Sequence, residues 1–97
     1  MDYRIRWSPK GGDSFEEICE YIAKDSPHYA RLFAREINQQ IKNLEKFPNI
    51  GQPVPECANK NYLQIPYKSY RIIYRVKDNM IEIGLIIHGA RILPELE

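Results

Sequence analysis

The sequence predicts an α+β fold with the element order β-α-α-β-β-β, in which an antiparallel two-helix hairpin packs on one face of a four-stranded sheet. Three observations predict it: a short alternating segment at the N-terminus, two apolar stripes at helical spacing, and three apolar segments in the C-terminal half that turn residues separate. At 97 residues the chain has the length of one domain, so we expect residues 1–97 to share a single hydrophobic core.

The N-terminal part predicts one strand followed by a helix. Residues 3–7 alternate apolar and cationic side chains, which is typical of a strand with one buried face. The Pro-Lys-Gly-Gly segment at 9–12 is expected to end that strand, because glycine and proline interrupt regular structure. Asp13 and Ser14 are candidate helix caps, and apolar residues then recur at intervals of three and four up to about Lys24. The stripe comprises Phe15, Ile18, Cys19 and Ile22.

A second helix is predicted to begin directly afterwards. Ser26-Pro27 combines a capping hydroxyl with a proline, a pair that favours the first turn of a helix. The apolar stripe runs to about Lys46 and consists of Ala30, Phe33, Ile37, Ile41 and Leu44. Because the connection is so short, the two helices are expected to lie antiparallel, and Phe47-Pro48 is expected to end the second one.

The C-terminal half predicts a loop and then a three-stranded antiparallel meander. Residues 49–61 contain prolines, one glycine and no periodicity, so we expect a loop there. Pro66 cannot donate a backbone hydrogen bond and therefore favours an edge position or a strand end. Asp78-Asn79 has the residue types of a two-residue hairpin turn, and the nearly continuous apolar segment after it is typical of a central strand. The predicted strands are Tyr62–Ile65, Tyr70–Lys77 and Met80–His88.

Composition indicates a cytoplasmic protein without a metal site or a cofactor. No apolar segment approaches the roughly 18 residues that a membrane helix needs, and the N-terminus lacks the pattern of a signal peptide. Cys19 and Cys57 lack metal-ligand spacing, and the position of Cys19 on the first helical stripe favours a packed free thiol. His28 and His88 lie in different predicted elements, and no carboxylate-rich spacing accompanies either.

The net charge of +1 conceals an uneven distribution. The segment 11–25 carries five acidic residues and one lysine, whereas 60–91 carries six cationic residues and two acidic ones. Alternation places a group of cations opposite the apolar residues that face the helices, namely Arg4, Arg6, Arg71, Arg75 and Lys77. Arg91 follows the last strand and is expected near the same open face. An anionic partner would bind there, although an ordinary solvated face fits the spacing equally well.

Three further features occur in a fixed order: Leu44-x3-Pro48-x2-Gly51 after the helical hairpin, the strand Tyr-Arg-Ile-Ile-Tyr-Arg-Val at 70–76, and His-Gly-Ala-Arg at 88–91. With these features the chain resembles the RelE/ParE toxin superfamily. The similarity runs from Trp7 to Arg91 and implies a bacterial type II toxin of the plasmid-stabilisation type. It also implies an antitoxin, encoded beside the toxin, that wraps it, and contact with operator DNA only through that antitoxin.

One activity that the resemblance implies is RelE-like cleavage of mRNA on the ribosome without a metal. By resemblance Arg71 and Arg91 would hold phosphate, and His88, as the imidazole nearby, would be the candidate acid or base. Residues 92–97 contain neither the tyrosine nor the histidine that such nucleases carry there, and a net charge of +1 suits ribosome binding poorly. A strand-end histidine bonded to backbone is the plainer interpretation of His88.

The other implied activity is ParE-like inhibition of DNA gyrase by protein–protein contact, without a catalytic site. The near-neutral charge and the sequence His-Gly-Ala-Arg favour gyrase inhibition, and we predict this activity rather than the ribonuclease. A family member that retains no toxicity is a third interpretation, and the two glycines at 11–12 depart from the family pattern. The surface predicted to bind the antitoxin or the target comprises Arg4, Arg6, Tyr62, Arg71, Arg75, Lys77 and Arg91.

Overall fold

The computed structural model describes residues 2–57 and 61–94, over which the chain forms two helices and five strands. Strand β1 spans Arg4–Trp7, helix α1 spans Pro9–Asp25 and helix α2 spans Pro27–Asn43. The later strands are β2 (Gln52–Pro53), β3 (Leu63–Tyr67), β4 (Tyr70–Lys77) and β5 (Met80–His88), with a short 3₁₀ turn at Pro55–Cys57. Neither helix of this described part is long and apolar enough to span a bilayer. The predicted α+β class and the order of its long elements are confirmed.

The sheet is mixed, and over the described residues it has five strands in the order β1-β5-β4-β3-β2. The predicted count of four strands was therefore wrong. β1 runs parallel to β5, whereas β5, β4, β3 and β2 are successive antiparallel neighbours. The additional strand β2 lies inside the segment 49–61 that was predicted to be a loop, and it pairs with Leu63 and Gln64. Two residues are too few for any alternation to be visible in the sequence.

β3 continues through Pro66 to Tyr67, beyond its predicted end at Ile65. β2 pairs with Leu63 and Gln64, so within the described part of the chain the outer side of β3 has no strand partner at Pro66. An edge position of this kind tolerates the missing N–H of proline. The predicted edge position of Pro66 is thus confirmed, while the predicted strand end is not.

Helix α1 begins at Pro9, earlier than the predicted cap at Asp13, and the glycines lie inside it. Ser8 is the actual cap, because its hydroxyl oxygen accepts a hydrogen bond from the N–H of Gly11 at 2.9 Å. A Cβ atom on Gly11 would overlap the carbonyl oxygen of Ile83, so only glycine lets α1 approach β5 this closely. The strand ends before residues 9–12, as predicted, but α1 starts earlier than expected, because its close packing on the sheet requires a glycine within the helix.

Helix α2 confirms its predicted start and its predicted stripe. The backbone N–H of Ser26 donates to the carbonyl of Ile22 in α1, and the Ser26 hydroxyl accepts from the N–H of Tyr29 in α2. One residue therefore closes one helix and caps the next, which makes the hairpin tight. The five predicted stripe residues are all buried: Ala30, Phe33, Ile37, Ile41 and Leu44. The helix itself ends at Asn43 rather than near Lys46.

A β-bulge at Gly84 explains the continuous apolar run of β5. Tyr74 lies opposite Ile83 and Ile73 lies opposite Leu85, so Gly84 has no partner of its own in β4. Beyond the bulge the alternation of faces shifts by one residue, and both faces of the strand are covered. Ile81, Ile83 and Ile86 join the core beneath the helices, whereas Leu85 and Ile87 join a smaller apolar cluster on the opposite face.

β1 ends beside the same bulge, and two serine hydroxyls then form hydrogen bonds with the next residues of β5. The Ser8 hydroxyl donates to the carbonyl of Gly84 at 3.2 Å, and the hydroxyl oxygen of Ser14 accepts from the N–H of Ile86 at 2.9 Å. These contacts satisfy strand groups that a longer β1 would have paired. Ser14, predicted as a cap, thus has its contacts within the helix and with the sheet.

The loop after α2 is fixed by the hydroxyl of the fully buried Tyr74. This hydroxyl donates to the carbonyl of Pro48 at 2.8 Å and accepts from the N–H of Gly51 at 2.9 Å. A Cβ on Gly51 would lie 2.7 Å from the same hydroxyl oxygen, so a side chain there would displace it. The Pro48-x2-Gly51 spacing of the sequence therefore has a structural cause: it holds the chain on β4 before β2 begins.

Candidate interaction surface

The sheet face away from the helices carries the predicted cations of β1 and β4, but it is only half open. A small apolar cluster covers the end of this face where β4 begins, and it consists of Val54, Tyr62, Ile73, Leu85, Ile87 and Leu93. Arg71 lies beside this cluster. The other predicted cations surround Glu82 near the β4–β5 turn, in a concave site that we call the hairpin pocket: Arg4, Arg6, Arg75 and Lys77, with Asp78, Asn79 and Met80. The structure thus divides one predicted surface into two sites.

The side chain of Arg71 is held within the chain by an arrangement that we call the arginine clamp. Its Nη1 donates to the carboxylate of Glu56 at 3.1 Å and to the side-chain oxygen of Gln64 at 2.9 Å. Its Nη2 donates to the other Glu56 oxygen at 3.0 Å and to the backbone oxygen of Arg91 at 2.8 Å. The clamp therefore joins the 3₁₀ turn, β3 and the segment after β5. Only 12% of the Arg71 side chain is exposed.

Glu56 is the anionic centre of the clamp. The hydrogen bonds from Arg71 are the main cause that lowers the pKa of Glu56 to about 2, and a hydrogen bond from the backbone N–H of Leu93 adds to the effect. The carboxylate thus stays ionised at any neutral pH. Its hydrogen bond with Leu93 holds the Leu93 side chain on the small apolar cluster, so the clamp positions residues 91–93, which we call the C-terminal segment.

Neutralising Glu56 is expected to remove a pH-dependent part of the stability. Because folding lowers the pKa of Glu56 from its ordinary 4.5 to about 2, its stabilising contribution is complete above pH 4.5 and is lost as the pH falls towards 2. Urea unfolding of the wild type and of Glu56→Gln should therefore differ most near pH 7 and converge below pH 4.5. In an Arg71→Gln background, the effect of Glu56→Gln on the free energy of unfolding should depend little on pH. If wild type and Glu56→Gln instead differed in stability by the same amount at every pH, the role of the clamp would be contradicted.

The hairpin pocket is built by the register of three neighbouring strands. Glu82 of β5 lies between Arg6 of β1 and Arg75 of β4, and both cations contact its carboxylate, at 3.1 and 3.0 Å. The guanidinium of Arg75 also lies 5.3 Å from the ring centre of Tyr62, which places Tyr62 at the border between the pocket and the small apolar cluster. The pocket has a volume of about 350 Å³ and opens to solvent.

His88 lies on the opposite side of the sheet from Arg71. It pairs in register with Tyr70, and the two rings meet edge-on with their centres 5.5 Å apart. Tyr70 packs on the core beneath the helices, whereas Arg71 is the next residue and points the other way. Arg91 and His88 line a separate groove of about 490 Å³ beside α1. Arg71 contacts the backbone of Arg91 but lies on the opposite side of the sheet from His88, so the structure does not gather all three residues into one site.

Sequence reasoning missed the acidic residues that organise both sites. Glu82 had a usable signal, because a two-residue turn at 78–79 places Arg75 opposite Glu82 in the hairpin. Glu56 had none, since it lies in a proline-rich segment without periodicity, and its contacts with Arg71 and Leu93 depend on where that segment folds. Among residues 2–57 and 61–94 there is no cluster of three or more histidine, cysteine, aspartate or glutamate side chains that could hold a metal ion.

The fold and this surface define a class of small α+β proteins in which a helical hairpin covers one face of a mixed sheet and arginines occupy the other. The family model for the ParE toxin of type II toxin-antitoxin systems, parDE, matches residues 5–93. The chain therefore belongs to the ParE toxin family, within the RelE/ParE superfamily that its C-terminal block resembles.

Individual relatives agree with this assignment. The chain is 28% identical over 93 residues to Y4kP of Sinorhizobium fredii, a candidate toxin, with 96% of this chain and 95% of the relative covered. The chromosomal ParDE system of P. aeruginosa has a similar fold, with a TM-score of 0.73 at 21% identity, over 89% of this chain and 95% of that one. The toxin-antitoxin complex RelBE2 of Mycobacterium tuberculosis has a TM-score of 0.66 at 18% identity, over 91% and 99% of the two chains.

Proposed function

We propose that this toxin inhibits DNA gyrase by protein–protein contact and that a cognate antitoxin neutralises it. The arginine clamp is the observation that carries the proposal. In RelE-like cleavage, Arg71, Arg91 and His88 would have to converge on one phosphate. Arg71 instead makes its hydrogen bonds within the chain, on the sheet face opposite His88. A contact inhibitor needs no such convergence, and membership of the ParE toxin family agrees with the ParE-like activity that the resemblance implies.

Ribosome-dependent cleavage of mRNA is the second candidate, because His88 and Arg91 line one groove. An imidazole and a guanidinium in one groove have the chemistry to transfer a proton and to hold a phosphate. The net charge of +1 weakens this candidate, since binding to a polyanion gains affinity with each neutralised phosphate.

The antitoxin is expected to cover the cationic sheet face and its borders. This proposal includes every residue predicted for the surface: Arg4, Arg6, Tyr62, Arg71, Arg75, Lys77 and Arg91. The fold similarity to chains from two toxin-antitoxin systems supports an antitoxin partner. Operator DNA would be contacted through that antitoxin and not by this chain alone, whose charge is nearly balanced.

The purified protein is expected to prevent gyrase from introducing negative supercoils into a relaxed plasmid. The physical reason is occlusion of the enzyme by a bound protein, so the inhibition should be stoichiometric and independent of RNA. The measurement is a supercoiling assay over a range of toxin concentrations, with toxin premixed with the product of the adjacent gene as the control. Premixing should restore supercoiling.

The same preparations decide between the two activities. Undiminished supercoiling at micromolar toxin, together with mRNA cleavage on programmed ribosomes that His88→Ala removes, would overturn gyrase inhibition in favour of the ribonuclease. Inhibition of gyrase that persists in His88→Ala would support the proposal, because a contact inhibitor does not use the imidazole as an acid or base.

A further inference from the structure

We propose that the hairpin pocket binds a glutamate-containing apolar segment of the antitoxin, with Arg4 and Lys77 holding its carboxylate. This inference rests on the proposed neutralisation by an antitoxin, and it specifies the chemistry and the position of one contact. It separates the predicted cationic surface into an end that is satisfied internally, at Arg71, and an end that is not.

Two parallel rows of side chains cross the pocket. In one row Glu82 lies between Arg6 and Arg75, and it contacts both. In the next row Met80 lies between Arg4 and Lys77 in the same register. Each row thus has a cation on either side, but only the first has an acid at its centre.

The second row lacks the anion that the first row contains. Among the described residues, no carboxylate oxygen lies within 4.0 Å of a charged nitrogen of Arg4 or Lys77, although Asp78 lies at the rim. Adjacent strands lie about 5 Å apart, so the two flanking strands place these cations about 10 Å apart across Met80. Both side chains are long enough to reach a single carboxylate placed above Met80. Such a carboxylate would repeat the arrangement around Glu82.

The shape and charge of the pocket favour a peptide over a nucleic acid. Its volume of about 350 Å³ fits one or two side chains, and Met80 gives the second row an apolar centre that suits the methylene groups of glutamate or a neighbouring leucine. A polyanion would gain little affinity from a protein whose net charge is only +1. Local charge complementarity within a nearly neutral protein is the arrangement expected for an acidic partner segment.

The pocket is tested on the full chain with a capped Leu-Glu-Glu-Leu peptide, followed through backbone amide chemical shifts. Shifts are expected around Arg4, Lys77 and Met80, and Leu-Gln-Gln-Leu should produce none. Arg4→Glu/Lys77→Glu should abolish them, and the milder Arg4→Gln/Lys77→Gln should weaken them. Arg31→Glu/Lys46→Glu changes the charge equally at exposed positions elsewhere and should leave them intact. Shifts outside the pocket, or equal shifts in both charge-reversed variants, would overturn the proposal.

Two competing occupants are tested in the same titration. A short oligouridylate or inorganic phosphate that shifts the pocket amides more than the peptide does would assign the site to phosphate and overturn the proposal. A second copy of this chain would reveal itself by shifts that depend on protein concentration without any ligand, and that result would overturn it as well.

Binding of the adjacent gene's product separates this inference from the proposed function. Arg4→Glu/Lys77→Glu is expected to weaken that binding by about tenfold or more, and the loss of affinity should be larger at low salt than at high salt. Arg31→Glu/Lys46→Glu should change the affinity little. Unchanged affinity in the pocket variant, with wild-type binding intact, would overturn the pocket alone. Absence of binding by the wild type would instead count against the proposed antitoxin.

Discussion

Alanine at position 11 is expected to destabilise the protein by at least about 2 kcal/mol, even though alanine ordinarily favours helices over glycine. The added Cβ would overlap the carbonyl oxygen of Ile83, a backbone atom of the central strand that has no rotamer by which to move away. Relief requires α1 to shift off β5, which would stretch the hydrogen bonds that Ser8 and Ser14 make to that strand. The overlap therefore outweighs the gain of roughly 1 kcal/mol in helix propensity.

Gly12→Ala is the matched control, because it adds the same methyl group one residue later in the same helix. An added Cβ there meets no atom within 4 Å, so the substitution is expected to stabilise the protein by about 0.5–1 kcal/mol. Urea unfolding of both variants measures the contrast. Stabilisation by alanine at both positions would show that α1 does not pack on Ile83 at van der Waals distance.

The start of α1 could have been predicted from the sequence, because the same pair of residues begins both helices. Ser8-Pro9 repeats the pair Ser26-Pro27, which correctly located α2. Gly11 was predicted to lie before the helix, because glycine has a low helix propensity and weakens an isolated helix. The close approach to β5 reverses that penalty, but it is a tertiary contact between positions far apart in the chain. Local preference therefore failed where packing decided the outcome.

The cationic face shows the same division between local and non-local information. Alternation correctly placed Arg71 and Arg75 opposite the core residues of β4, since that depends only on the pleat. The parallel pairing that places Arg4 and Arg6 beside β5 was not predicted, because nothing local in β1 specifies its neighbour. The contacts of Arg71 with Glu56 and with the segment after β5 depend on two irregular segments. No periodic pattern exists in such segments.

The two sites of the sheet face use their cations for different purposes. In the arginine clamp, the cation acts on the chain itself and fixes the C-terminal segment against the small apolar cluster. In the hairpin pocket, Arg4 and Lys77 flank a neutral residue and remain available to an outside carboxylate. A substitution in the clamp should therefore change stability and the position of the C-terminal segment, whereas one in the pocket should change affinity.

Arg71→Ala and Glu56→Ala are expected to reduce growth inhibition to a similar extent, and the double variant should reduce it little further. Both remove the same clamp, so their effects should be strongly non-additive. Arg71→Ala should also lower the free energy of unfolding by roughly 1–3 kcal/mol, because it removes hydrogen bonds to a carboxylate and to the C-terminal backbone. Induced expression with growth curves, corrected for protein level, and urea unfolding of the four proteins measure the cycle.

This cycle distinguishes a clamp from a phosphate ligand, because the two roles predict opposite effects at Glu56. If Arg71 held the phosphate of RNA, Glu56→Ala would release the guanidinium and would maintain or raise toxicity, while Arg71→Ala would abolish it. If Arg71 holds the C-terminal segment, both alanines weaken toxicity alike. In that case Arg71→Lys should be scarcely more toxic than Arg71→Ala, because an ammonium cannot reproduce the paired hydrogen bonds to the Glu56 carboxylate. Toxicity raised by Glu56→Ala would therefore contradict the clamp and favour the ribonuclease.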